Sequence, residues 1–352
     1  MADTFATSFE VLNYSGMLFN KGNTRTPLSS IIGPKAVITN HVKFATGQEY
    51  TSGGAGSQPA ISETASLTAP DASVVKRSQK YNVTQIFQES VGVSYGKMSN
   101  MGTLSGINIA GQQANPMSEL DFQVAAKLQK IQRDIEYTFV NGAFNEATSD
   151  SEINKTRGLV TAITTNVTAM KSKPLGLWDI ADMVKKVYGQ NAPTEGLCLF
   201  CDAVTMFQIN ADATQNGLSV VPASREINGI SLSSVITPIG VVYLYLGECL
   251  PAGTALLLNL DVIRPVYQPV PGKGNFFLEK LAQTGAGEKY QLFGQIGLDH
   301  GPEWYHGKFT GISTTFTAPT YSRSVFIAND SINTKVTNTA SDPVNTKAVT
   351  DS

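Results

Sequence analysis

An apolar stripe running through residues 116–141 constrains this chain more than any other feature. Leu120, Val124, Leu128, Ile131, Ile135 and Phe139 follow one another at steps of four, four, three, four and four, the period of one helical face. Asn115 suits an N-cap, Pro116 suits the first helical position, and Asn141-Gly142 supplies the stop. Lys127, Lys130, Arg133 and Asp134 fall off the stripe. Such a helix is roughly 40 Å long. A rod of that length with one apolar face needs a broad partner surface, so the rest of the chain is expected to be organised around it.

The remaining segments divide by pattern. Residues 1–40 read as an N-terminal arm: periodicity is weak, Thr26-Pro27-Leu28 starts an extended piece and Ile31-Ile32-Gly33-Pro34 closes it. Residues 41–88 read as a long β-hairpin. His41-Val42-Lys43-Phe44 alternates, Gly53-Gly54-Ala55-Gly56-Ser57 makes a flexible tip, and the return from Ser73 to Phe87 is β-branched and aromatic. A hairpin with so little to bury is marginal alone and needs a neighbouring surface. Leu177, Ile180, Val184 and Val187 predict a second helix over 175–190, ended by Asn191-Ala192-Pro193. Short strands follow at Leu197-Cys198-Leu199-Phe200, Val220-Val221, Val235-Ile236 and 241–246, with a short helix over 203–210. More strands are expected at 255–260, 275–280, 290–298 and 307–312, and 320–352 is a polar tail. The fold class is therefore α+β.

Composition narrows the function. Hydrophobic residues make up 41 % of the 352, but charged residues only 15 %, against about 25 % in an average domain. A low-charge surface suits a subunit that buries much of itself in neighbours. The net charge of −2 argues against a strongly basic nucleic-acid binder. Three cysteines are too few for a disulfide framework and suit a reducing compartment. No signal peptide is expected over Met1 to Glu10, and no apolar run approaches membrane-spanning length.

Each candidate for chemistry has a plainer reading. Cys198 and Cys201 have CxxC spacing, but the second pair of a zinc site is missing and both lie in an apolar strand. Asp299, His300, Glu303 and His306 could gather around a metal, yet Gly301-Pro302 forces a turn between hairpin strands. Gly272-Lys273-Gly274 lacks the frame of a phosphate loop and reads as a hairpin turn. Gly102, Gly106 and Gly111 miss the dinucleotide pattern, no Ser sits in a nucleophile elbow, and Asp121 and Asp134 lie on the solvated side of the long helix. No catalytic, cofactor or metal residue is assigned.

Asn82-Val83-Thr84-Gln85-Ile86-Phe87, followed by Val91-Gly92-Val93-Ser94, resembles the major head proteins of tailed bacteriophages. The likeness continues through Glu119, the run Gln129 to Glu136, Asn141-Gly142, Arg157-Gly158-Leu159 and Thr165-Asn166. It ends with Leu278-Glu279-Lys280-Leu281-Ala282, Lys289 to Leu298 and Gly307 to Ile312, so that it spans residues 79–315. The resemblance implies the Hong Kong ninety-seven-type capsid fold, which tailed phages share with herpesvirus floors and encapsulins. Its parts then map as an N-arm at 1–40, an extended loop at 41–88, and a peripheral domain at 89–164 carrying the spine helix. An axial domain at 165–254, return strands of the peripheral domain at 255–319 and the tail at 320–352 complete it.

The function so implied is a major capsid protein, not an enzyme. It would self-assemble as pentamers and hexamers into an icosahedral or prolate virion shell around double-stranded DNA, in the cytoplasm of the host bacterium. Partners implied are other copies, a portal, a scaffolding protein, a decoration protein and DNA held non-specifically, with no membrane. A separate scaffold is expected because no long charged N-terminal segment is present, and nothing marks a Lys–Asn crosslinking pair. The rivals are an encapsulin-like compartment shell, an enzyme built on His300, His306 and Glu303 or on the cysteines, and a tail-tube protein, which the long helix disfavours.

Overall fold

The computed structural model describes residues 26–50, 58–69, 77–96, 119–215, 221–227, 230–283 and 285–316. The helices are α1 (Pro27–Ile32), α2 (Glu63–Ser66), α3 (Glu119–Asn141), α4 (Leu159–Ala162), α5 (Leu177–Gly189) and α6 (Ala203–Gln215). The strands are β1 (Val37–Ile38), β2 (Lys43–Tyr50), β3 (Arg77–Val83), β4 (Gln85–Ser94), β5 (Val167–Ala169), β6 (Leu197–Cys201) and β7 (Val221–Ile227). They continue with β8 (Ile230–Ile236), β9 (Val241–Leu246), β10 (Ala255–Asn259), β11 (Arg264–Tyr267), β12 (Phe276–Lys280), β13 (Gly287–Asp299) and β14 (Gly307–Thr310).

Three sheets result: a five-stranded sheet, a seven-stranded sheet and the two-stranded hairpin β2–β3. In the first, β13 is the hub. It pairs antiparallel with β4 along one edge, and with β12 and then β11 along the other. The second runs β5-β14-β10-β6-β9-β8-β7. Side chains of a strand alternate between faces, and the central strands of this sheet feed two cores. Leu197, Leu199, Cys201, Ala255 and Leu257 face α5, whereas Cys198, Phe200, Leu256 and Leu258 face the core of the long helix. Both faces are covered, which is why β6 and β10 read as unbroken apolar runs.

The stripe of α3 is buried along its whole described length, from Leu120 to Phe139. The expected start at Asn115 and Pro116 lies outside the described residues. Lys127 and Lys130, off the stripe, both reach Glu89 of β4 and fix the helix across that strand. Against the upward push of burial, these two ammonium groups hold the Glu89 carboxyl below its ordinary value. The helix stops at Asn141 for a reason other than a left-handed cap. Gly142 and Gly158 touch backbone to backbone: a Cβ on Gly142 would lie 2.4 Å from Thr156 O, and one on Gly158 2.4 Å from Gly142 N.

Four expectations need correction. Residues 26–38 are not a free extended arm. α1 carries Leu28, Ile31 and Ile32 into the main core, and β1 pairs parallel with β11. Pro27 occupies the first helical turn, where its missing N–H costs nothing, and the apolar spacing of three and four makes one buried face. The hairpin return ends at Val83, not at 88: after Thr84 the chain enters β4, whose ten residues register on β13. The block 255–319 does not return to one sheet, because β10 and β14 complete the seven-stranded sheet while β11 to β13 lie in the other. The helix after β6 runs to Gln215 rather than to 210.

Candidate assembly surface

The hairpin β2–β3 pairs Lys43 with Val83 at its root and Tyr50 with Arg77 at the far end, with a bulge between Ala45 and Gly47. Its root is fixed by Asn82, which is fully buried. The Asn82 amide NH2 donates to Leu298 O at 2.7 Å and to Arg157 O at 3.2 Å, and its Oδ1 accepts from Arg157 N–H at 2.7 Å. One side chain thus ties the hairpin to β13 and to the segment after the long helix. Thr84 adds a hydroxyl bond to Gln268 at 2.6 Å, and Lys43 pairs with Glu146 at 2.8 Å.

Away from the root the hairpin finds no cover. Every residue from 58 to 69 is exposed. α2 is a single turn, N-capped by the Ser62 hydroxyl, which accepts from Ala65 N–H at 3.1 Å. On either side of it Ile61 is 69 % and Leu67 85 % exposed. Two bare aliphatic side chains on an outlying segment are what a covering neighbour would remove from water. The tip at 53–57 lies outside the described residues. Further large apolar groups stand in solvent on other elements: Trp178 on α5, Phe207 on α6, and Phe122 and Tyr137 on α3.

The residues weighed as chemistry are placed as follows. Cys198 and Cys201 are buried on opposite faces of β6, in different cores, so their sulfurs do not converge. Burial, with a smaller push from Asp202, drives the Cys201 thiol up to about 12. Cys249 is exposed. His306 accepts Asn259 N–H on Nδ1 at 3.1 Å, which leaves the proton on Nε2 to donate to His300 O at 2.7 Å. His300 Nδ1 donates to Gly301 O at 2.8 Å. Burial pulls both imidazoles down to about 4, so both are neutral near pH 7. Asp299 accepts from Gly301 N–H, and Glu303 accepts the N–H groups of Thr164 and Thr165. These four polar groups are each engaged with backbone and share no centre. Among the described residues no three His, Cys, Asp or Glu side chains gather as metal ligands.

Gly272-Lys273-Gly274 is a hairpin turn closed by a Val270–Gly274 bridge, with both glycines at positive φ. Asp134 is exposed and Asp121 half-buried on α3, and Gly102, Gly106 and Gly111 lie outside the described residues. Sequence reasoning missed Asn82 and Glu136 as structural hubs. The signal for Glu136 was its place beside Ile135, on the flank of the apolar stripe.

The architecture is a mixed helix-and-sheet capsid fold with an outlying hairpin, of the Hong Kong ninety-seven type that the resemblance implies. Its coordinates match the SrpI encapsulin of Synechococcus elongatus at TM-score 0.56 and 12 % identity, over 89 % of this chain and 99 % of that one. A chain of Mycobacterium phage Patience matches at TM-score 0.53 and 8 % identity, over 87 % and 86 %. The capsid of cyanophage A-1(L) matches at TM-score 0.53 and 10 % identity, over 84 % and 94 %. A comparison with curated proteins found no match. The model of the SU10 major capsid protein family matches residues 1–313, and the chain belongs to that family. It is a structural, shell-forming protein of the phage virion, assembled from many copies of itself.

Proposed function

We propose that this subunit builds a phage head as rings of five and six copies, closed into an icosahedral or prolate shell around double-stranded DNA. The observation that carries the reading is the hairpin. Residues 58–69 are exposed throughout and display Ile61 and Leu67 to solvent, while the root is locked by Asn82. A rigid root with an uncovered outer part suits a strap laid over the adjacent subunit. The unit of the seven-stranded sheet would stand at the ring centre as axial domain, and that of the five-stranded sheet and long helix at the periphery. The segment before residue 26 would cross to further neighbours. Many modest interfaces of this kind add up in a closed symmetric shell.

The inner wall would face DNA without gripping it, since a chain of net charge −2 has little to neutralise phosphate with. Assembly would take place in the cytoplasm of the host bacterium, with a portal, a separate scaffold and a decoration protein as partners. The subunit would have no catalytic role and need no cofactor or metal. Deleting residues 45–75 is expected to leave a folded subunit, judged by circular dichroism, but no particles in electron micrographs. Normal particles from that deletion would refute the strap. A second reading, a cargo compartment, is favoured by the likeness in fold to the SrpI encapsulin. Particles that form without phage partners and protect no DNA from nuclease would favour it.

A further inference from the structure

Two features on different faces of the subunit carry opposite charge. A cavity of about 340 Å³ beside the hairpin root is lined by Lys80, Arg157, Thr161, Thr164, His300 and Glu303, among others. Glu303 is already saturated by Thr164 N–H at 2.9 Å, Thr165 N–H at 3.1 Å and the Thr165 hydroxyl. Arg157 is different. Its guanidinium lies 4.3 Å from the Phe144 ring centroid, and among the described residues it has no ion pair and no side-chain hydrogen bond. His300 Nε2, buried at the same cavity, also lacks a partner. With two cations against one occupied carboxylate, the cavity favours an anionic group. Its volume is far above the roughly 30 Å³ of a water and takes a side chain.

The second feature is the loop after the long helix, closed by a bridge between Asn145 and Lys155. Glu152 turns back to accept Thr148 N–H at 2.8 Å, which leaves Asp150 exposed at the tip with no partner among the described residues. Asp150 borders a separate groove with Val42, Thr84, Ile86 and Ile153, and this groove shares no lining residue with the Arg157 cavity. The acid at the tip and the basic cavity therefore face different surroundings within one chain.

We propose that Asp150 of one copy enters the cavity of a second copy and pairs with Arg157 and Lys80. This contact rests on the shell reading and names one joint in it. It is head-to-tail, because donor and acceptor are different patches, and such contacts close into rings when the rotation permits. A guanidinium grips a carboxylate in a planar, two-bond geometry, and the cavity walls keep the pair from being screened as a surface pair would be.

The test is a charge swap in the full chain, expressed with its neighbouring genes and scored by sedimentation and electron microscopy. Asp150→Arg and Arg157→Glu, singly, are each expected to lower particle yield at least about tenfold. The double variant is expected to restore most of it. Wild-type yield from Asp150→Arg, or a folded double variant that restores nothing, overturns the contact. If Arg157→Glu misfolds, Arg157→Gln and Asp150→Asn serve instead: a double loss no larger than either single supports the pair, and fully additive losses overturn it. Absence of particles from the wild-type chain would instead sink the shell reading itself.

Discussion

Glu136 offers the sharpest test of how the root of the N-terminal segment is held. It is fully buried on the last turns of the long helix and acts as an external cap for α1. Its Oε1 accepts Leu28 N–H at 2.9 Å and its Oε2 accepts Ser29 N–H at 2.8 Å, with the Ser29 hydroxyl as a third donor. Burial drives this carboxyl from 4.5 up to about 7, against the pull of its donors, with a further push from Glu248. The folded chain therefore holds the proton more tightly than the unfolded chain does. The stability from this group is fully present below pH 4.5 and is lost as pH rises through 7. A gap of that size is worth about 3 kcal/mol over the window.

Glu136→Gln keeps the shape and removes the titration. The new amide NH2 cannot accept from the backbone, so one N–H of α1 loses its partner, at about 1–3 kcal/mol. At pH 5 the wild-type group is mostly protonated, and the variant should show that full loss. At pH 8 the wild type carries the cost of a buried charge, and the two chains should differ by little. The assay is urea unfolding of the unassembled chain at both pH values, followed by the fluorescence of Trp178 and Trp304. A stability loss that grows with pH would mean that the donors outweigh burial, and the reasoning would be wrong.

Two further outcomes are expected. Gly158→Ala puts a methyl group 2.4 Å from Gly142 N and 2.8 Å from Thr138 O, backbone atoms that cannot rotate away. A loss of about 3 kcal/mol or more is expected by the same unfolding assay, and a loss under about 1 kcal/mol would mean that the helix end yields freely. In the unassembled native chain a thiol reagent should label Cys249 alone, since Cys198 and Cys201 are buried and burial lifts the Cys201 thiol to about 12. Labelling of all three sulfurs before denaturant is added would contradict the two cores.

The amino-acid sequence by itself determined the elements whose signal is local and periodic. The stripe from Leu120 to Phe139 specified the long helix and its buried face, because each step of three or four residues returns to the same side of a helix whatever surrounds it. The alternating runs from Lys43 and toward Val83 specified the hairpin, and Gly272-Lys273-Gly274 its own tight turn. The shell function was legible through degenerate motifs in the right order, not through any reactive group. Tertiary structure alone decided the rest. Residues 26–38 look extended in sequence because the surface that makes α1 a helix, with Glu136 as its cap, lies 107 and 108 positions away. Asn82 becomes the lock of the hairpin only when Leu298, 216 positions on, comes beside it. That β10 and β14 join the seven-stranded sheet likewise depends on which edges meet, and both candidate neighbours offer the same apolar, β-branched pattern. Local spacing fixes which face of an element is apolar; only the closing of long loops fixes what that face touches.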